Sequence, residues 1–203
     1  LRFSDCYQHA GSQALPASIT HISRGHYMQI RTASLADIPQ IQSIYAHHVL
    51  TGTGTFEETA PSIEDLQQRF STGVERGGAW IVATDATDLL GYAYYAQLRD
   101  RSAYRFCAED SIYVREDVRG QGVGKALVAE LLNQAEAAGF RQMIAVIGDS
   151  DNVGSIGVHA SLGFRRVGVL HAVGWKFGRW LDAVYMQKPL GLADAPDVQE
   201  RSR

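Results

Sequence analysis

The chain has 203 residues with ordinary globular proportions, 45% hydrophobic and 20% charged, enough to bury a core without disulfide or metal support. A net charge of -3 gives no footprint of a nucleic-acid binder, and no apolar run approaches the roughly 20 residues that cross a bilayer. Two cysteines, Cys6 and Cys107, exclude a disulfide framework and fit a reducing, cytoplasmic setting. Residues 1–27 are polar and aperiodic, without a signal-peptide pattern, and patterned sequence begins at Met28. They are read as a non-native or flexible extension, residues 28–190 as one folded domain, and 191–203 as a flexible tail. A first strand is expected over 29–32. Ser34 and Asp37 have capping-box spacing, and Ile38, Ile41, Ile44, Tyr45 and Val49 follow at helical spacing until Thr51–Gly54 breaks the pattern. A second helix starts at Ser62, with Asp65 three residues on. Residues 79–84 and 89–97 read as a hairpin and 108–115 as a further strand. A glycine-rich turn then leads into a helix ending near Ala138 and Gly139. An apolar strand (143–147), a helix (155–162) and two strands near 165–170 and 181–188 complete the order. The expected class is α/β (α+β, mixed sheet), in three layers with helices on both faces.

The segment Arg119-Gly120-Gln121-Gly122-Val123-Gly124-Lys125 joins a strand to a helix. Glycines there let the backbone approach a phosphate, while the helix N-terminus and the cations Arg119 and Lys125 favour its charge. A Walker loop fails, because Arg119 stands where its first glycine belongs and Ala126 where its hydroxyl belongs. The dinucleotide fingerprint fits weakly, since Val123 and Lys125 interrupt the glycine spacing. What remains is the pattern [QR]-x-x-G-x-[GA], carried by Arg119, Gly122 and Gly124 after Tyr113-Val114.

On these residues the sequence resembles the GNAT N-acetyltransferase superfamily over about 29–190. Ile44-Tyr45, Thr55-Phe56-Glu57, Gly91-Tyr92-Ala93, Ala108-Glu109-Asp110-Ser111-Ile112-Tyr113-Val114 and Ala145-Val146-Ile147 sharpen the resemblance, as do residues 158–164 and 174–182. Together they resemble its phosphinothricin and methionine-sulfoximine acetyltransferase branch. The resemblance implies a GNAT-like α-β-α sandwich with splayed central strands, acetyl-CoA as cosubstrate, no metal, a homodimer and a small amino-acid-like acceptor. A role in herbicide or toxin resistance follows from the same branch. It implies that the coenzyme arm pairs with the backbone of Ile112, Tyr113 and Val114, that the loop 119–125 holds the pyrophosphate, and that Asn152 and Ser155 add contacts. The Val114 N–H is expected to polarise the thioester carbonyl.

Acyl transfer to an amine needs a base. Glu109 is the first choice, Asp110 the weaker one, because neighbouring strand residues face opposite ways. His159 stands four residues before Gly163, where many superfamily members carry a tyrosine proton donor, and is read as catalytic or structural. His47 and His48 end the first helix, where capping is the simpler explanation. Arg99, Arg101 and Arg105 form a cluster suited to a carboxylate, and Phe56, Glu57, Tyr94, Lys176 and Trp180 are placed around the acceptor. A relay through Cys107 finds no activating partner in the sequence. Two rival functions remain, acetylation of protein N-termini or lysines, and a non-catalytic acyl-CoA sensor.

Overall fold

The computed structural model describes residues 18–22 and 26–191. Its helices start where local chemistry demands. The Ser34 N–H and hydroxyl both donate to Asp37, which also pairs with Arg31, and α1 (Ile38–Thr51) follows at once. At α2 (Ile63–Glu75), Ser62 and Asp65 exchange both capping-box bonds. In α1 the buried side chains are the five whose spacing marked one face, Ile38, Ile41, Ile44, Tyr45 and Val49.

Among the described residues, eight strands form one mixed sheet: β1 (Ser18–Ile22), β2 (His26–Thr32), β3 (Ala79–Thr84), β4 (Leu89–Gln97), β5 (Cys107–Val114), β6 (Gln142–Gly148), β7 (Arg165–Lys176) and β8 (Arg179–Pro189). Their order is β1-β2-β3-β4-β5-β6-β8-β7, and of these neighbours β5 and β6 run parallel while the others are antiparallel. Helices α1 and α2 cover one face. Their core joins Ile38, Ile41 and Leu66 to Trp80, Val82 and Tyr92. On the other face α3 (Val123–Ala137) and α4 (Val153–Ser161) pack, with Leu127, Leu131 and Ala135 meeting Ile81, Ala93, Ala108 and Met143. This is the expected three-layer arrangement.

Two differences from the sequence reading stand out. A strand over Ser18–Ile22 pairs with β2, so part of the stretch read as an extension adds to the sheet; the rest of that stretch, and the expected tail from 192, lie outside the described residues. The last hairpin is also much longer than expected. β7 is exposed over most of its length, so it lacks the inside-outside alternation that marks a half-buried strand. A bulge between Leu170 and Gly174 interrupts it further, held by the Ala172 N–H donating to Asp182. The chain stays tied down to Leu190, which is buried and whose N–H donates to the Arg141 carbonyl.

Candidate active site

The site begins where two neighbouring strands part. β5 pairs with β6 only from Cys107–Gln142 to Asp110–Ala145. Beyond that point β5 stays with β4 as far as Val114, while β6 stays with β8 as far as Gly148. The resulting cleft has a volume of about 720 Å³, with residues 110–114 on one wall, 145–147 on the other and the loop before α3 at its mouth.

The register of β4 and β5 tells which backbone groups face this cleft. The Arg115 N–H donates to the Leu90 carbonyl and the Leu98 N–H to the Cys107 carbonyl. Antiparallel pairs alternate, so Tyr92–Tyr113 exchange hydrogen bonds, whereas Gly91–Val114 and Ala93–Ile112 do not. The amides of Ile112 and Val114 therefore point to the open edge. Those of Tyr113 are committed to β4, which corrects its assignment as a backbone contact for the arm.

At the mouth, Gly120 and Gly122 have φ of 75° and 89°, and a Cβ at either would meet nothing within 4 Å. Glycine is required there by conformation, not by crowding. Gly122 leads directly into α3, whose first turn leaves the N–H groups of Val123, Gly124 and Lys125 without helical partners. Gly124 faces β5, where a Cβ would lie 3.4 Å from Ile112 Cδ1, an ordinary contact distance. Arg119 and Lys125 also line the cleft, Arg119 lying 3.7 Å from Glu116. The Gln121 side chain donates to the Asp117 carbonyl and its N–H to the Val118 carbonyl, and it does not line the cleft, so the structure does not bring it to the expected contact. Donors, a positive helix end and two cations together fit a pyrophosphate. Asn152 caps α4 by accepting from the Ser155 N–H, and both residues line the opposite wall.

At the vertex, His159 and Asp110 are buried together, their side chains 2% and 1% exposed, with Nε2 3.0 Å from Asp110 Oδ2. Nδ1 lies 2.8 Å from the Ser155 carbonyl, so both ring nitrogens face acceptors and donate as an imidazolium. Burial works against that charge, but the hydrogen bond and the negative charge of Asp110 outweigh it and raise the His159 pKa. The other oxygen, Asp110 Oδ1, is buried without a partner. Sequence reasoning ranked Asp110 as a spare base; the structure makes it the counter-ion of His159.

Glu109 projects from the opposite face of β5, toward α1 and α2. Burial raises its pKa and Asp110 adds to the rise, while Arg99, 3.5 Å away, opposes it. The arginines do not form one constellation. Arg99 reaches Glu109, Arg105 stacks over Phe106 at 4.4 Å, and Arg101 is exposed on the loop between them. Glu57 is clasped by both guanidinium nitrogens of Arg69, and Phe56 packs over Gly174 and Gly148. Lys176 departs from the expected acceptor contact: its ammonium is buried and donates to the carbonyls of Gly52 and Thr55, and burial lowers its pKa. Burial, with Glu109 next, raises the Cys107 pKa, which works against a thiol relay.

His48 was read as a helix cap. Instead its Nε2–H donates to the Val114 carbonyl, 2.9 Å away at the cleft edge. The signal was absent from the sequence because the partner lies 66 residues on.

The profile of the Acetyltransferase (GNAT) family matches residues 41–164. The chain belongs to the GNAT acetyltransferase family. It is 47% identical to the phosphinothricin N-acetyltransferase of Alcaligenes faecalis over 81% of this chain and 84% of that one. Identity to the L-methionine sulfoximine/L-methionine sulfone acetyltransferase of Pseudomonas aeruginosa is 42%, over 78% and 92%. Among solved structures, the phosphinothricin acetyltransferase of Sinorhizobium meliloti in complex with AcCoA superposes with a TM-score of 0.79 at 47% identity, covering 81% of this chain and 89% of that one. In this GNAT acetyltransferase the strands that part are β5 and β6, and the glycine-rich segment 119–124 leads into α3.

Proposed function

We propose that this GNAT acetyltransferase transfers the acetyl group of acetyl-CoA directly to the amino group of a small amino-acid-like acceptor, in the class of phosphinothricin, methionine sulfoximine and methionine sulfone. The observation that carries the reading is the splay after Asp110. It opens a cleft between residues 110–114 and 145–147 that runs to the phosphate-type loop, and Glu109 stands one residue before that cleft on the opposite face of β5. The names of the relatives support the acceptor class.

The acetyl thioester supplies an activated acyl group. The chain's residues bind it, orient it and manage protons. The Ile112 backbone and the Val114 N–H offer an open edge to which an extended arm adds like a strand. The amine attacks only when neutral, and the Glu109 carboxylate accepts its proton directly or through one water. The donor that polarises the thioester carbonyl must lie near that base. At about 3.4 Å per residue, Val114 is roughly 17 Å along the strand from Glu109 and Ile112 roughly 10 Å. The role first given to the Val114 N–H therefore passes to Ile112. Arg99 keeps Glu109 in place and offers its remaining N–H groups to an acceptor carboxylate. His159, held by Asp110, closes the coenzyme side of the vertex.

The chain acts as a homodimer in this reading. The β7–β8 hairpin exposes Val167, Leu170, Val173, Trp175, Phe177 and Trp180, an apolar concentration that monomers rarely leave bare.

The test is thiol release from acetyl-CoA with phosphinothricin, methionine sulfoximine, methionine sulfone, single amino acids and short peptides. Saturable turnover on small amino acids is expected, with a loss of roughly 10²–10⁴-fold in Glu109→Gln. Because the base works deprotonated and its pKa is raised, kcat/KM should climb with pH along an acid limb above the ordinary glutamate range. That limb should vanish in Glu109→Gln. Turnover on peptides alone would move the assignment to protein acetylation, and binding without turnover to an acyl-CoA sensor.

A further inference from the structure

We infer that His48 is a positioning residue that fixes the register in which the arm of coenzyme A adds to β5, an inference that rests on the acetyl-transfer reading above. The open edge offers few groups to an added strand: the N–H and C=O of Ile112 and those of Val114. His48 occupies the last of these, the Val114 carbonyl.

The donor is held in place from several directions. Its ring meets Tyr113 edge-on at 5.4 Å, and Tyr113 is wedged in turn against Tyr45 at 4.8 Å. Next to it, His47 pairs with Glu116 in the turn that leads to the glycine loop. The last turn of α1 thus grips the end of β5 and the segment just beyond it.

An arm with amide groups could settle on such an edge in more than one register, each displaced by two residues, about 6.8 Å. Slippage inward is closed, because Asp110 is already paired with Ala145 of β6. Slippage outward needs the Val114 carbonyl as an acceptor, and there the arm must share the oxygen with the His48 donor, which weakens that register. The register favoured is the one in which the arm's amides meet the Ile112 carbonyl and the Val114 N–H, and the acyl end lies toward Glu109. An outward slip would bind with similar contacts but leave the thioester about 6.8 Å too far from the base.

The test compares the wild type with His48→Phe, which keeps a ring against Tyr113 without the donor, and His48→Gln, whose amide can reach the same carbonyl. Acetyl-CoA affinity and the infrared carbonyl band of bound ¹³C-acetyl-CoA are measured without an acceptor, and kcat with one. His48→Phe should bind acetyl-CoA within about threefold of the wild type, show a second carbonyl band, and lose on the order of 10–100-fold in kcat. His48→Gln should restore a single band and most of kcat. A single band and wild-type kcat in His48→Phe would overturn the inference, and so would equal impairment of both variants, which marks a packing role. His48→Leu replaces His48→Phe should the latter fail to fold. Failure of the wild type to bind acetyl-CoA would bring down the transfer reading as well. A missing acceptor would leave the affinity and band comparison intact.

Discussion

At the scale of single residues, the pair Asp110–His159 is the most consequential contact in the cleft. An imidazolium with almost no solvent access depends on its carboxylate, and one oxygen of that carboxylate has no partner of its own. Asp110→Asn removes the counter-charge and should cost about 3 kcal/mol of stability, read from urea midpoints. The pH dependence has a definite sign. The folded pKa of His159 is raised, so its contribution is fully present below the unfolded value near 6.5 and is lost as pH rises through the folded value. The stability gap between wild type and His159→Gln should therefore be widest in mild acid and narrow at alkaline pH. A gap that widened with pH would mean that His159 is buried neutral. Sequence could place His159 on its helix and Asp110 on its strand, but not join them, because the bond spans 49 residues and depends on how α4 docks.

Among the elements, the loop before α3 separates two uses of glycine. Gly122 has φ of 89° with open space around it, so Gly122→Ala should cost roughly 1–2 kcal/mol through backbone strain alone. The same substitution should weaken acetyl-CoA binding more than acceptor binding, as calorimetry would show. Gly124 lies inside the helix, where a Cβ would make ordinary contacts at 3.4 and 3.6 Å. Gly124→Ala should be neutral, or stabilising by up to about 1 kcal/mol. Equal losses at both positions would contradict this division. Much at this scale was legible in the sequence. Ser34 with Asp37 and Ser62 with Asp65 place two helix starts, and the β3–β4 hairpin falls on residues 79–84 and 89–97 as read. The glycine loop likewise falls where its spacing placed it, between β5 and α3. The length of β7 was not legible, since most of its residues are exposed and a bulge breaks its period.

Over the whole molecule, the β7–β8 hairpin is the surface on which the proposed homodimer rests. Trp175 and Trp180, 53% and 63% exposed, face each other across the strands at 5.1 Å near a turn whose residues Phe177 and Gly178 both have positive φ. Trp175→Ser with Trp180→Ser should convert a dimer into a monomer in sedimentation velocity, leaving the far-ultraviolet circular dichroism unchanged. A wild-type chain that sediments as a monomer at micromolar concentration would refute the dimer. The three-layer class was readable from the order of the elements, because each pattern is local. The route by which distant segments meet was not, and Lys176 is the clearest case.

Its ammonium belongs to the residue just before the hairpin turn and reaches back 121 and 124 residues to the carbonyls of Thr55 and Gly52. Gly52, Thr53 and Gly54 form part of the rim of the cleft. The ammonium thus ties the base of the hairpin to the rim of the cleft. In the proposed homodimer, a partner gripping the hairpin tip would brace that rim as well, so assembly and access to the cleft would be coupled through one side chain.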